Sequence, residues 1–235
     1  MGAVRVLEGI GTVSMKRVRR ARRIGIRVQP FAGVEVTIPW RASYSSALEI
    51  VERNRDWIFR QLCVVHEQER RYVAAANTGK PVTRMHILEA HPADTAEMYV
   101  RVGRGVISVG YPRTLNLESP TVLKALHEGV LSALRLEARR ILPERVRRFA
   151  ERHGFTYGRL TLKNLCSRWG SCSVTNNINL NIQLMRLPDE LIDFVVMHEL
   201  VHTRVKNHGP RFWTLMEKLA PDARGLEEKL RGHRL

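Results

Sequence analysis

Cysteine is scarce in this 235-residue chain: Cys63, Cys166 and Cys172 are the three, and no two form a CxxC pair. An odd number without paired spacing excludes a disulfide framework and fits a reducing compartment. Long apolar runs are missing too, none approaching the roughly 18 residues needed to span a bilayer. The opening MGAVRVLEGIGTVSM lacks the basic-then-apolar layout of a signal peptide, and Val6 stands where myristoylation wants Ser or Thr. The expectation is a soluble cytoplasmic protein without membrane partners. Acidic residues are few: 23 Asp and Glu against 39 Lys and Arg leave a formal charge of +16. Aromatics make up only 6%, yet hydrophobic residues reach 44%, which excludes a disordered chain and supplies a core.

The positive charge is clustered, in KRVRRARR at 16–23 and RRILPERVRRFAER at 139–152. Such fields attract nucleic acid, anionic lipid, or acidic and phosphorylated substrates. A solvated basic face is the competing reading. Aromatic residues for stacking on bases are scarce near either cluster in the sequence.

Hydrophobic periodicity predicts mixed elements. RRIGIRVQPFAGVEVTIPW alternates around PFAG and reads as a hairpin. Ser46 and Glu49 form a potential capping box ahead of a helical stripe of Leu48, Val51, Ile58, Leu62 and Val65, with Trp57 on the same side. NTGKP at 77–81 reads as a loop, and EMYVRVGRGVISVGYP as a second hairpin. Ser119 and Pro120 open a long helix, which Pro143 should kink and Gly154 end. RLTLKN and NINLNIQL read as short strands. Pro188 then starts a helix with Asp189 and Glu190 in its first turn, where the dipole favours carboxylates, and with Leu191, Phe194 and Val195 buried.

That helix carries HELVHTRVKNHG, residues 198–209. Helical residues four apart point the same way, so His198 and His202 offer two imidazole nitrogens to one ion. Glu199 is placed to touch a water beside the ion and move its proton. A catalytic zinc site wants three protein ligands and an open position, and His208 is the candidate third. Asn207 tolerates a left-handed helix end, while Gly209 and Pro210 block simple continuation, so the chain can turn His208 back. A further helix from Pro210 carries Phe212, Trp213, Met216 and Leu219. With nine histidines, a chance HExxH arises about 2% of the time by composition. A metzincin would need Gly at Val205 and is rejected; a thermolysin-like arrangement would use a later carboxylate, for which Glu217 is the weaker alternative to His208. The other six histidines show no ligand spacing.

SRWGSCS (167–173), INLNIQLMRLP (178–188), DFVVMHELVH (193–202) and NHGPRFW (207–213) together resemble the YgjP-like metallopeptidase domain, a relative of the SprT and WLM groups of zincins. With RRARRIGIRV, VTIPW and RDWIFRQL, the resemblance spans roughly residues 12–230. It implies an α+β fold: a zincin-like metallopeptidase core with an N-terminal β-hairpin/helix region. Residues 1–115 would be strand-rich with one long helix and 116–235 catalytic, within one continuous domain. It further implies a zinc-dependent hydrolase with ligands His198, His202 and His208 and general base Glu199. An edge strand should lie beside the active helix, and NINLNIQL is the expected one. Arg168 and Asn181 are candidate substrate-binding residues, Arg168 as a cation for a developing oxyanion, with Asn164 a weaker candidate. The leading expectation is a peptidase acting on protein or peptide. The alternatives are a nucleotide (UTP-type) pyrophosphatase, disfavoured by the absence of a Walker-type loop, and a SprT-like protease tethered to DNA. A non-catalytic zinc module is disfavoured by Glu199.

Overall fold

A computed structural model of the chain describes residues 2–29, 31 and 33–233. It is a mixed α+β structure with several small sheets. In chain order come β1 (Gly2–Leu7), β2 (Gly11–Val18), β3 (Gly25–Gln29), β4 (Gly33–Pro39), α1 (Tyr44–Arg53) and α2 (Arg55–Thr78). Then follow β5 (Ile87–Ala93), β6 (Tyr99–Gly103), β7 (Val106–Pro112), α3 (Pro120–His153), β8 (Leu160–Lys163), β9 (Gly170–Cys172) and β10 (Ile178–Asn181). A 3₁₀ helix at Ile182–Arg186, α4 (Asp189–Val201), α5 (Pro210–Leu219) and α6 (Ala223–Gly232) complete it. No helix among the described residues is long and apolar enough to cross a membrane.

Two compact units emerge: residues 1–80, 87–101 and 108–129 form the first, and 81–86, 102–107 and 130–235 the second. The first is built on a sheet of order β1-β2-β4-β3. The expected β3–β4 hairpin is antiparallel, although Pro30 and Ala32 of its turn lie outside the described residues. β2 pairs β4 in parallel. Alternation puts Val13 and Met15 of β2 and Val34, Val36 and Ile38 of β4 on one buried face, where Val51 and Ile58 cover them. The helical stripe is therefore core, as its spacing predicts, except that Trp57 remains 39% exposed. The cap differs from expectation: Ser43, three residues upstream of Ser46, accepts the Ser46 N–H at 3.0 Å. The NTGKP loop also starts later than expected, because α2 runs to Thr78 and ends on left-handed Gly79. The second hairpin turns on Arg104 and Gly105, both at positive φ, as a two-residue primed turn requires.

In the second unit α3 continues as a helix through Pro143 and stops before Gly154 at φ 65°. Strand order here is β8-β10-β9. This corrects the edge-strand expectation: β10 is central, parallel to β8 and antiparallel to β9, and of the two edges the one beside the active helix is the three-residue β9. The second half of NINLNIQL coils into the 3₁₀ helix, started by Asn181, whose side chain accepts the Gln183 N–H. α4 is buried on nearly every side rather than along one stripe, Ile192, Val196, Leu200 and Val201 joining the expected residues.

Arg145 of α3 anchors α4. Its guanidinium donates to Asp193 at 2.5 Å and to Asp189, while Arg84 reaches Asp189 at 3.0 Å and the Leu187 carbonyl at 2.7 Å. Arg145 is 16% exposed and Asp193 27%, so the bond between them is partly shielded from water, whereas Asp189 is exposed. Arg145→Met should therefore cost about 2–3 kcal/mol, somewhat below the loss for a fully buried pair. Chemical denaturation of both proteins checks this, and Arg145→Lys should recover only part of the loss because lysine lacks the planar, preorganised pair of donors that reaches both carboxylates.

Candidate metal centre

α4 ends at Val201, where the Thr203 hydroxyl donates to the Leu200 carbonyl at 2.7 Å. This is earlier than the expected stop, and Asn207 is not among the residues at positive φ. The turn that follows is held by Lys206, whose ammonium donates to the Ser173 carbonyl at 2.9 Å and to Asn176 Oδ1 at 2.6 Å. Gly209 and Pro210 then open α5, proline taking the first-turn position that needs no N–H partner.

The outcome is a convergence of three imidazoles. His198 Nε2 and His202 Nε2 lie 3.1 Å apart, His202 and His208 3.1 Å, and His208 and His198 3.0 Å. Zinc–nitrogen bonds of about 2.0–2.1 Å at tetrahedral angles would place the nitrogens roughly 3.3–3.4 Å apart, close to this triangle. Phe212, fully buried, forms the floor, its ring centroid 4.9, 4.7 and 4.8 Å from those of His198, His202 and His208. Glu217, the alternative third ligand, lies outside the cluster and is 4.0 Å from Arg224.

Burial favours the neutral form of His198 and His202. Burial above all, then His202 and His208, pushes His198 down to about 3. Burial also lowers His202, whose Nδ1–H donates to the Val205 carbonyl at 3.0 Å and so leaves its Nε2 lone pair facing the other two rings. Lone pairs at this spacing repel one another, and a cation between them turns the repulsion into coordination. The donor set fits a divalent ion that prefers imidazole.

Glu199 is 5% exposed, and burial raises its carboxyl to about 8 against the opposing pull of Arg168. Its Oε2 is buried without a hydrogen-bond partner. β9 passes so close that a Cβ on Gly170 would lie 2.6 Å from Glu199 Oε1 and 2.7 Å from its Cγ. Only glycine fits there, a requirement invisible until strand and helix are packed. Phe212 was legible as an apolar helix residue but not as the floor of the site; its place four residues after His208 was the available signal.

Arg168 and Asn181 occupy different situations. Arg168 is exposed and, with Trp169, Phe194, Val195, His198 and Glu199, lines a cavity of about 320 Å³ that α6 borders through Leu230 and Arg231. Asn181 is fully buried: its amide donates to the Leu165 and Arg168 carbonyls at 2.8 and 2.9 Å, and its oxygen accepts the Leu165 N–H. It holds the loop carrying Arg168 and has no surface left for a substrate. Asn164 pairs with Gln183 at 2.9 Å. The three cysteines are unpaired.

Residues 22–233 match the family described as YgjP-like, metallopeptidase domain. The chain belongs to that family. A metal ion, a metallopeptidase type of hydrolysis and a protein or peptide substrate go with membership. Two solved metallopeptidase zymogens are partly similar. Abylysin of Pyrococcus abyssi is 20% identical at a TM-score of 0.36, over 38% of this chain and 91% of that one. Jannalysin of Methanocaldococcus jannaschii is 21% identical at 0.35, over 38% and 93%. No curated protein matches the sequence.

Two outcomes are expected. Phe212→Leu should weaken metal binding about 10-fold by loosening the imidazole floor, measured by competition with a chelating dye. The second concerns chelator-treated protein. A histidine in the unfolded chain titrates near 6.5 and His198 in the fold at about 3, so the unfolded state binds more protons between those values. Stability should rise with pH through that window by up to about 1.4 kcal/mol per unit and be lost as pH falls toward 3, and His198→Gln should flatten the slope in urea titrations.

Proposed function

We propose that the protein is a zinc-dependent peptidase on a zincin-like core, with His198, His202 and His208 as ligands and Glu199 as general base. The observation that carries this reading is the triangle of three Nε2 atoms at 3.0–3.1 Å beside an unpartnered, buried carboxylate oxygen. Bound there, zinc supplies Lewis acidity, making water acidic near neutrality and polarising a carbonyl.

The protein's own groups do the rest. Glu199 accepts a proton from the attacking water on a carboxylate oxygen and delivers it to the leaving amine. Burial raises the proton affinity of this carboxyl, which favours holding the proton between the two transfers. Arg168, a cation at the cavity, is placed to stabilise negative charge developing on the carbonyl oxygen. Asn181 acts as a positioning residue, since its amide fixes the backbone at Leu165 and Arg168. Among the described residues β9 pairs with β10 alone, so its other edge is open to an extended peptide through backbone hydrogen bonds. Trp169, Phe194, Val195 and Leu230 give the adjoining cavity apolar walls for a substrate side chain.

Elemental analysis should find about one zinc per chain, and alanine at His198, His202 or His208 should lower it sharply. Glu199→Gln should retain zinc and the circular dichroism spectrum but lose at least roughly 10²-fold in turnover of an unstructured protein substrate. Near-parental turnover in that variant would sink the assignment. Hydrolysis of nucleoside triphosphates instead, abolished by the same substitution, would move the activity to the pyrophosphatase class. Arg168→Ala should lower kcat more than it raises KM.

A further inference from the structure

The two arginine clusters meet different fates in the fold. In the second, Arg145 is bound to Asp189 and Asp193, Arg147 to Glu144 at 2.6 Å, and Arg148 lies 4.0 Å from Asp193. Much of that charge is consumed internally. In the first, none of Arg17, Arg19, Arg20, Arg22 and Arg23 has an ion-pair partner among the described residues. All but Arg17 are exposed.

Aromatic side chains are scarce around positions 16–23 in the sequence, but the fold supplies one. The parallel register sets Arg17 opposite Ile38 and Val18 opposite Pro39, so the chain leaves β4 with Trp40 beside Arg19. Arg17 donates to the Trp40 carbonyl at 2.5 Å. Its guanidinium carbon lies 6.0 Å from the Trp40 ring centroid and 5.0 Å from that of Tyr44, and Arg19 lies 5.6 Å from Trp40. Trp40 is nevertheless 58% exposed. An indole held in place by an arginine, open to solvent and flanked by uncompensated guanidinium groups, offers a stacking face and phosphate contacts together. That combination matches unpaired bases on a charged backbone; duplex DNA hides its base faces, and an acidic peptide uses only the charge.

We propose that Trp40, Arg17, Arg19 and Arg20 form a binding site for single-stranded nucleic acid, with a base stacked on Trp40 and phosphates on the arginines. The site stands on the first unit alone and does not rest on the peptidase reading.

The test uses the full chain and labelled oligothymidine of about 20 nucleotides, by fluorescence anisotropy across a salt series. Binding should weaken with salt at a slope of about −0.7 per neutralised phosphate, and Arg19→Ala with Arg20→Ala should flatten it by about 1.4 together. Trp40→Ala should weaken binding roughly 10-fold at fixed salt and leave the slope unchanged, because it removes stacking and no charge. Trp40→Phe, which preserves an aromatic ring at this exposed position, should retain most of the affinity but lose the quenching of tryptophan fluorescence by the oligonucleotide. Glu199→Gln should bind like the parent. Parental affinity in Trp40→Ala, or quenching that persists in Trp40→Phe, would overturn the proposal. So would equal affinity for a duplex of the same length, equal competition by polyglutamate or by phosphatidylserine vesicles, or no binding at low salt.

Discussion

Three imidazole Nε2 atoms held within 3.0–3.1 Å of one another form the constraint around which the second unit is organised. Without a cation the arrangement is repulsive, so the surrounding structure has to impose it. α4 is buried nearly all round, which fixes its rotation and hence the direction of His198 and His202. Arg145 and Arg84 hold its first turn through Asp189 and Asp193. Lys206 fastens the turn that returns His208, and Phe212 packs beneath all three rings. Rigid support of this kind is what a metal site needs, since loosely held ligands surrender affinity to conformational entropy.

The carboxylate beside the triad depends on a second close approach. Glu199 sits in a space made by the absence of a side chain at Gly170, and β9 is held there by its pairing with β10. Asn181 ends β10 and uses its amide to fix the loop that runs into β9, so one strand sets both the edge beside the helix and the position of Arg168. The small sheet thus sets both the strand that packs on Glu199 of α4 and the loop that carries Arg168. Burial of Glu199 raises the proton affinity of its carboxyl.

Charge divides along different lines. A net +16 is a property of composition, but its use depends on where carboxylates fall in space. In α3, Arg145 and Arg148 face the first turns of α4 and Arg147 pairs with Glu144 three residues away, so part of that charge is taken up within the fold. Those at 17–23 meet no acid among the described residues, and two of them, Arg17 and Arg19, lie beside an exposed indole. Charge of the first kind stabilises the fold, and that of the second remains available to a partner.

What was legible in the sequence was local or tied to one helix. The spacing of His198 and His202 is a consequence of helical pitch, and the start of α5 at Pro210 follows from proline stereochemistry, so both were readable without tertiary information, whereas the stop of α4 at Val201, ahead of the breaking residues, was not. The β3–β4 hairpin and the core stripe of α1 and α2 were readable for the same reason. Family membership was readable from motifs kept in order along the chain. The edge strand was misassigned because β9 has only three residues, too few for alternation to register, while β10 carries the clearer pattern and turns out to be central. Asn181 was expected at a substrate and is spent on backbone, since nothing in its type or spacing distinguishes the two uses. The glycine needed at 170, the floor at Phe212 and the meeting of Trp40 with Arg17 are each contacts between separate elements. By itself the sequence determined which groups were able to bind a metal; only the tertiary structure decided what surrounds them, because packing distance is set by strand pairing and helix burial rather than by chain order.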